Sequence, residues 1–318
     1  MLLWALSGTI KTSLAEPTQV KIGCYLENLR NFDYLGGVFR GDLYLWLDSP
    51  AKDHESVDNL DFVRSRPTWS SPIIKRDGNG RHYECRRYML EVNHDWDMSR
   101  FPFDTQRLRI KLEDLDRSAT EMKFVVAPES RFARHLIPAE WEILSKRIYV
   151  NTEKYDTNFG DLNDGHDMSE YSRVVIEIIL ARHALPLFFK MVAGAYAAFA
   201  AICLSFWLTS EVPTYVSGRL GLIVGCLFGT IINQRVVETV IGRCSYVTHI
   251  DLVHLLTLSC CILAGIITLM STYFSVNQRG KQAALLDRIS FWVFLVLYVG
   301  FNVVLVSYDC WRIAAVAE

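Results

Sequence analysis

No charge of either sign dominates this chain. Its 33 basic and 35 acidic residues leave a formal net charge of −2, so it lacks the cationic surplus of a nucleic-acid binder. There is no low-complexity tract, no charged tail and no internal repeat. The eight cysteines include no CxxC pair, which removes the usual zinc and dithiol frameworks. GxSxG, HExxH and P-loop patterns are also missing. His82, His94, His135 and His166 stand alone as candidate ligands. Asp161, Asp164 and Asp167 surround a glycine, but without the spacing of an EF-hand. The expectation is a protein that is not an enzyme, with no cofactor and no metal.

What the chain does have is a strong asymmetry. Hydrophobic residues make up 51% and charged residues 21%, but these averages mix two unlike halves. As far as Arg182 the charges are scattered, as in a soluble domain. From about Lys190 onward long apolar runs take over. A bilayer-crossing helix needs about 20 mostly apolar residues. Four stretches qualify or nearly so, at about 191–209, 219–241, 248–274 and 286–314. Trp207, Trp292, Tyr298, Tyr308 and Trp311 sit where interfacial aromatic belts form.

The second stretch differs from the others. Its apolar part, between Arg219 and Arg235, is short and flanked by arginines. Such a helix suits a place where one face meets water and the others meet protein. Gly221, Gly225, Phe228, Ile232, Arg235 and Thr239 recur at spacings of four and three, so they share one helical face. From the residues alone, that face is either a lining or a packing surface with glycines at a close helix approach.

The first half reads as β. Leu108 to Glu113 alternates apolar and charged residues, as a half-buried strand does. Lys21–Leu26, Asp42–Leu47, Tyr83–Leu90, Met122–Val126 and Tyr171–Leu180 also read as strands. Turn residues separate them at Gly36-Gly37, Asp77–Gly80 and Asn163–Gly165. The expected fold is mixed: an N-terminal antiparallel β-sandwich, immunoglobulin-like, followed by a four-helix transmembrane bundle. The expected domains are a signal remnant or N-terminal segment at 1–19, a head at 20–182 and a membrane domain at 183–318. Cys24 and Cys85 are expected as free thiols on strands, although a bridge between them is an alternative. Cys203, Cys226, Cys260 and Cys261 read as small buried hydrophobes.

Specific motifs add a resemblance. FPFDTQ (Phe101–Gln106), within NHDWDMSRFPFDTQRLRIKLED, resembles the signature loop of the pentameric ligand-gated ion channels. FDYLGGVFRGDLYLW (Phe32–Trp46) looks like their first hairpin. AEWEI (Ala139–Ile143) and YDTNFGD…YSR (Tyr155–Arg173) are similar to the strands around their agonist flap. FW at Phe206-Trp207, GRLGL at Gly218–Leu222 and VVET…GRCSYVTHID at Val236–Asp251 follow in order. The likeness spans nearly the whole chain. Animal members bracket the signature loop with two cysteines; His94 and Leu108 stand there instead. The chain thus resembles the cysteine-less, mainly bacterial branch.

The resemblance implies a homopentamer in the cell membrane, with the head outside the cytoplasm and the second helix of each copy lining a pore for permeant ions. The six-residue stripe would then be pore-lining. Phe228 and Ile232 would form hydrophobic rings able to block ions by dewetting. Ser217 and Gly218 fall where cation-selective members place a glutamate, and Arg219 follows as in anion-selective ones. Glu211 could bend into the inner mouth. Coupling of head to pore would rest on Asp33, Phe101, Pro102, Phe103, Asp104, Arg182 and Tyr246, with Arg182 held between Asp33 and Asp104. Trp69, Tyr155, Phe159 and Tyr171 are the candidates for binding a small-molecule agonist, with the proton as another possible agonist. Trp141 reads as core. Two alternatives stay open: a membrane-anchored β-sandwich that binds a ligand without conducting, and an accessory subunit that does not conduct alone.

Overall fold

The computed structural model describes residues 16–50, 55–160, 168–208, 210–242 and 247–317. Eleven strands precede four helices among them. The strands form two sheets. The larger runs β4 (Ser65–Ser70), β6 (Arg81–Asn93), β2 (Val38–Pro50), β1 (Thr18–Asp33), β8 (Met122–Val126), with β5 (Ile74–Gly78) on β6 and β9 (Arg131–Phe132) on β1. The smaller runs β10 (Trp141–Tyr155), β11 (Ser169–Arg182), β7 (Thr105–Asp114), β3 (Leu60–Val63).

Alternation in the sequence explains the packing. Leu108, Ile110 and Leu112 point inward from β7 and pair in register with Ile178, Ile176 and Val174 of β11. Leu43, Leu45 and Leu47 of β2 and Ile22 and Leu26 of β1 bury the facing side, so both sheets share one core. The antiparallel expectation needs one correction: β8 and β9 pair with β1 in parallel. Both follow the long excursion after β7, and a strand that returns by a crossover can enter in either direction. Cys24 and Cys85 are free thiols.

All four helices are long and apolar enough to cross a membrane. They are α1 (Ala184–Ser205), α2 (Pro213–Ile241), α3 (His249–Val276) and α4 (Gly280–Ala317). Each differs from the apolar run that announced it, and α1 most of all, since it begins seven residues before the expected 191. Hydropathy marks the part that needs lipid, whereas a helix continues wherever its backbone bonds are met. Pro186 lies in the first turn, where its missing N–H costs nothing. At the other end of the bundle, Pro213 opens α2 in the same way.

The helices interlock through Ala198, Cys203, Cys226, Cys261 and Ala264, small residues that permit close approach. Polar side chains bond between helices: Thr257 Oγ1 with Tyr298 Oη at 2.8 Å, and Tyr196 Oη to Asn302 Oδ1 at 2.9 Å. Asn233 Nδ2 donates to the Met191 carbonyl at 2.8 Å and lies 2.6 Å from His254 Nε2, joining α1, α2 and α3.

Candidate functional site

The first element of the site is the free face of α2. Arg219, Ile223, Cys226, Thr230 and Val237 are its buried residues. Gly221, Gly225, Phe228, Ile232, Arg235 and Thr239 are all exposed. Each member of the exposed stripe follows a buried or half-buried one by two positions, and two residues turn an α-helix by roughly 200°. The stripe therefore lies opposite the side that holds α2 in the bundle. Phe228 and Ile232 expose 59% and 65% of their surface. Leu227, one position away, packs against the bundle core instead. Of the four helices α2 has the least buried apolar window, 22%, so one chain leaves this face uncovered.

Charges on that face are few. Arg235 bonds Glu238 at 2.6 Å one turn along, a locally neutral pair. Arg219 is not available to it. It is fully buried and makes two 2.9 Å bonds to the carboxylate of Asp287 on α4. Ser271 Oγ donates to the same carboxylate at 2.9 Å, and the Phe206 ring lies 5.5 Å from the guanidinium. This arginine clamps α2 to α4, which the flanking-charge pattern in the sequence did not reveal. Glu211 does not bend toward the stripe either; its carboxylate lies against Gly280, where a helix N-terminus favours an anion.

The second element is the junction between head and helices. The turn before β7 inserts Met98, Phe101 and Phe103 among Ala184, Phe188 and Val192 of α1, Val237 of α2 and Ile250 and Val253 of α3. Phe103 and Phe188 have ring centroids 5.4 Å apart. Pro102 is buried beside them. Asp104 and Arg182 close the turn: Nε donates to Oδ1 at 3.0 Å and Nη2 to Oδ2 at 3.3 Å, with both side chains buried.

Asp33 does not complete a triad. Its Oδ1 accepts from the backbone amides of Leu35 at 3.0 Å and Gly36 at 2.8 Å, which shapes the β1–β2 turn. Aromatic rings flank Arg182 instead. Trp141 lies 4.1 Å from the guanidinium carbon, and Tyr34 and Phe101 each lie 5.1 Å away. A guanidinium is weakly hydrated and stacks on such faces, so a cage can hold it where a second carboxylate is missing. Burial works to lower the Arg182 pKa, but Asp104 and Tyr34 outweigh it and leave the group above its ordinary value. Tyr246 lies outside the described residues, as do His166, Asp161, Asp164 and Asp167.

No protein-family model and no curated protein matches the chain. The case for a function therefore rests on the residues and their geometry.

The third element is aromatic. Tyr155, Phe159 and Tyr171 meet at the tip of the β10–β11 hairpin, with centroids 5.2 to 6.3 Å apart. Arg173 Nη2 donates to Tyr155 Oη at 2.9 Å, and Tyr155 Oη donates to Glu113 Oε2 at 2.8 Å. Trp69 is half exposed on β4, at one end of the larger sheet. β10 is at the end of the smaller sheet away from β3, whereas β3 and β4 are neighbours. Within one chain the trio and Trp69 thus occupy opposite edges of the sandwich. Trp141 is core, as its sequence context suggested.

Two junction residues escaped the sequence reading. Tyr34 completes the arginine cage, and its place directly after Asp33 was the available signal. Leu35 is 70% exposed, yet its tip fills the space that a Cβ on Gly242 would need. Gly242 ends α2 at φ +84°, a conformation that favours glycine. The β1–β2 turn therefore rests on the end of α2.

Proposed function

We propose that this chain is one subunit of a homopentameric ligand-gated ion channel. Five copies would surround a pore lined by the α2 stripe, with an immunoglobulin-like head outside the cytoplasm. A small molecule or proton acting on the head would open the pore to permeant ions. The observation that carries the reading is the stripe itself. It opposes the buried face of a membrane-length helix, and one chain leaves it free for further copies to meet. The junction supports the same reading, because the β1–β2 turn and the Phe101–Asp104 turn both touch elements that hold α2. An agonist would sit between neighbours, bringing the aromatic trio of one copy to the Trp69 edge of the next, with cation–π attraction suited to an amine.

A gate at Phe228 gives a direct test. Replacing this ring with Ser in every copy widens the constriction and supplies hydroxyls to water. About 1.4 kcal/mol in total shifts an open–closed equilibrium tenfold. Purified Phe228→Ser channels in planar bilayers should leak without agonist or open at lower agonist. Leu227→Ser should lower expression without leak, since Leu227 packs inward. Leak from Leu227→Ser with a tight Phe228→Ser would refute the stripe as the lining.

A further inference from the structure

At the end of β7 remote from the junction is an acidic pair that the channel reading does not use. Asp114 is 3% exposed and Glu55 fully buried. Both Glu55 oxygens have partners: Oε1 accepts from the Ser56 amide at 3.0 Å and Asn59 Nδ2 at 2.9 Å, and Oε2 meets the Arg117 guanidinium with capacity for one more donor. Asp114 is only half satisfied. Its Oδ1 accepts from the amides of Asp116 at 2.9 Å and Arg117 at 2.5 Å, while the buried Oδ2 has no partner. Arg117 ties the two acids together, its amide donating to Asp114 and its guanidinium to Glu55, and the Glu55 carboxylate acts on the Asp114 charge. Two ionised carboxylates cannot bond each other, whereas a carboxyl and a carboxylate can. One added proton would turn the orphaned oxygen into a donor and remove the like-charge repulsion.

We propose that Asp114 and Glu55 form a proton-binding site whose occupancy biases the junction; the second half of this statement rests on the channel reading above. Position supports it. Asp114 ends β7, which begins directly after Asp104, roughly 30 Å away along the strand. β7 pairs with β11 from Thr105 to Leu112, and β11 ends in Arg182; Glu113 and Asp114 pair with β3. Glu55 follows β2, whose other end forms the turn that rests on Gly242. A change in the separation of the pair thus acts on β7 and β2, each of which leads to a turn that touches the helices.

Arg117 is the cation facing the pair among the described residues. Glu84 of β6 holds the segment next to Glu55, accepting from Ser56 Oγ and the Val57 amide, and pairs with Lys75 and His82. Burial, together with the nearby Glu55 carboxylate, pushes the Asp114 carboxyl up to about 6. A folded-state pKa above the unfolded one means that the native protein takes up the proton first. The stabilisation is complete below the unfolded value and is lost as pH rises through about 6.

Infrared difference spectra of the full chain in detergent read the site without any current. A protonated-carboxyl signal should appear with a midpoint near pH 6 in the wild type and in Asp116→Asn, and be absent in Asp114→Asn. The Asn amide mimics the protonated acid, donating to Glu55 while still accepting both backbone amides. Bilayer currents read the consequence. The wild-type open probability should change between about pH 7 and pH 5, and Asp114→Asn should lose that change while retaining its response to Phe228→Ser. No titrating carboxyl in the wild type, or an unchanged one in Asp114→Asn, overturns the site. A titrating carboxyl with identical pH dependence of current in both proteins overturns its role in gating. Failure of every variant to conduct would count against the channel reading and leave the spectroscopic test standing.

Discussion

Arg182→Ala should destabilise the folded protein by about 3–5 kcal/mol and disconnect the head from the helices. The size follows from what stays behind. Asp104 is 2% exposed, and without the guanidinium its carboxylate is a buried charge with no cation. The aromatic cage of Tyr34, Phe101 and Trp141 would lose the group it packs around. Arg182→Lys should fall between. It restores the charge but not the two-pronged bond or the stacking plane. Thermal melts of the solubilised complex read the stability, and agonist-evoked current reads the coupling. A melting point and a response both unchanged in Arg182→Ala would mean that the buried pair carries neither role.

Arg219→Ala should cost a comparable 3–5 kcal/mol, roughly, by stranding Asp287 inside the bundle. Arg219 is fully buried, and the Asp287 side chain is 7% exposed. A paired apolar replacement, Arg219→Met with Asp287→Leu, should recover most of the loss, because it removes both charges from a water-poor site. Melting curves of the two single variants and the double variant test this. A double variant less stable than either single one would refute the account of this clamp. Conversely, ion selectivity should be insensitive to Arg219, which points away from the exposed stripe.

Much of the fold was legible because alternation and hydropathy are strong signals. Each of the six stretches read as a strand lies within an observed strand. Alternation missed β10, which only the resemblance at Ala139–Ile143 and Tyr155–Arg173 touched, and the short edge strands β3, β4, β5 and β9; β5 is exposed throughout, and its sequence has no inward pattern to find. The α2 stripe was legible because a helix repeats on a fixed angle. The clamp made by Arg219 was not legible, because sequence spacing places a charge on a helix but not its partner 68 residues later. Asp33 was misplaced for a related reason. A short acid beside glycines can satisfy its own turn, and local amides are nearer than a distant guanidinium. Asp114 and Glu55 gave no motif at all, since their significance lies in one buried oxygen without a partner.

The central claim is that several copies of the α2 face enclose a pore. Native mass measurement of the wild-type complex in mild detergent tests it most directly. The account predicts a species of five chain masses as the dominant form. A stable monomer or dimer under those conditions would contradict it, because the exposed stripe of Phe228 and Ile232 would then face detergent rather than its own copies.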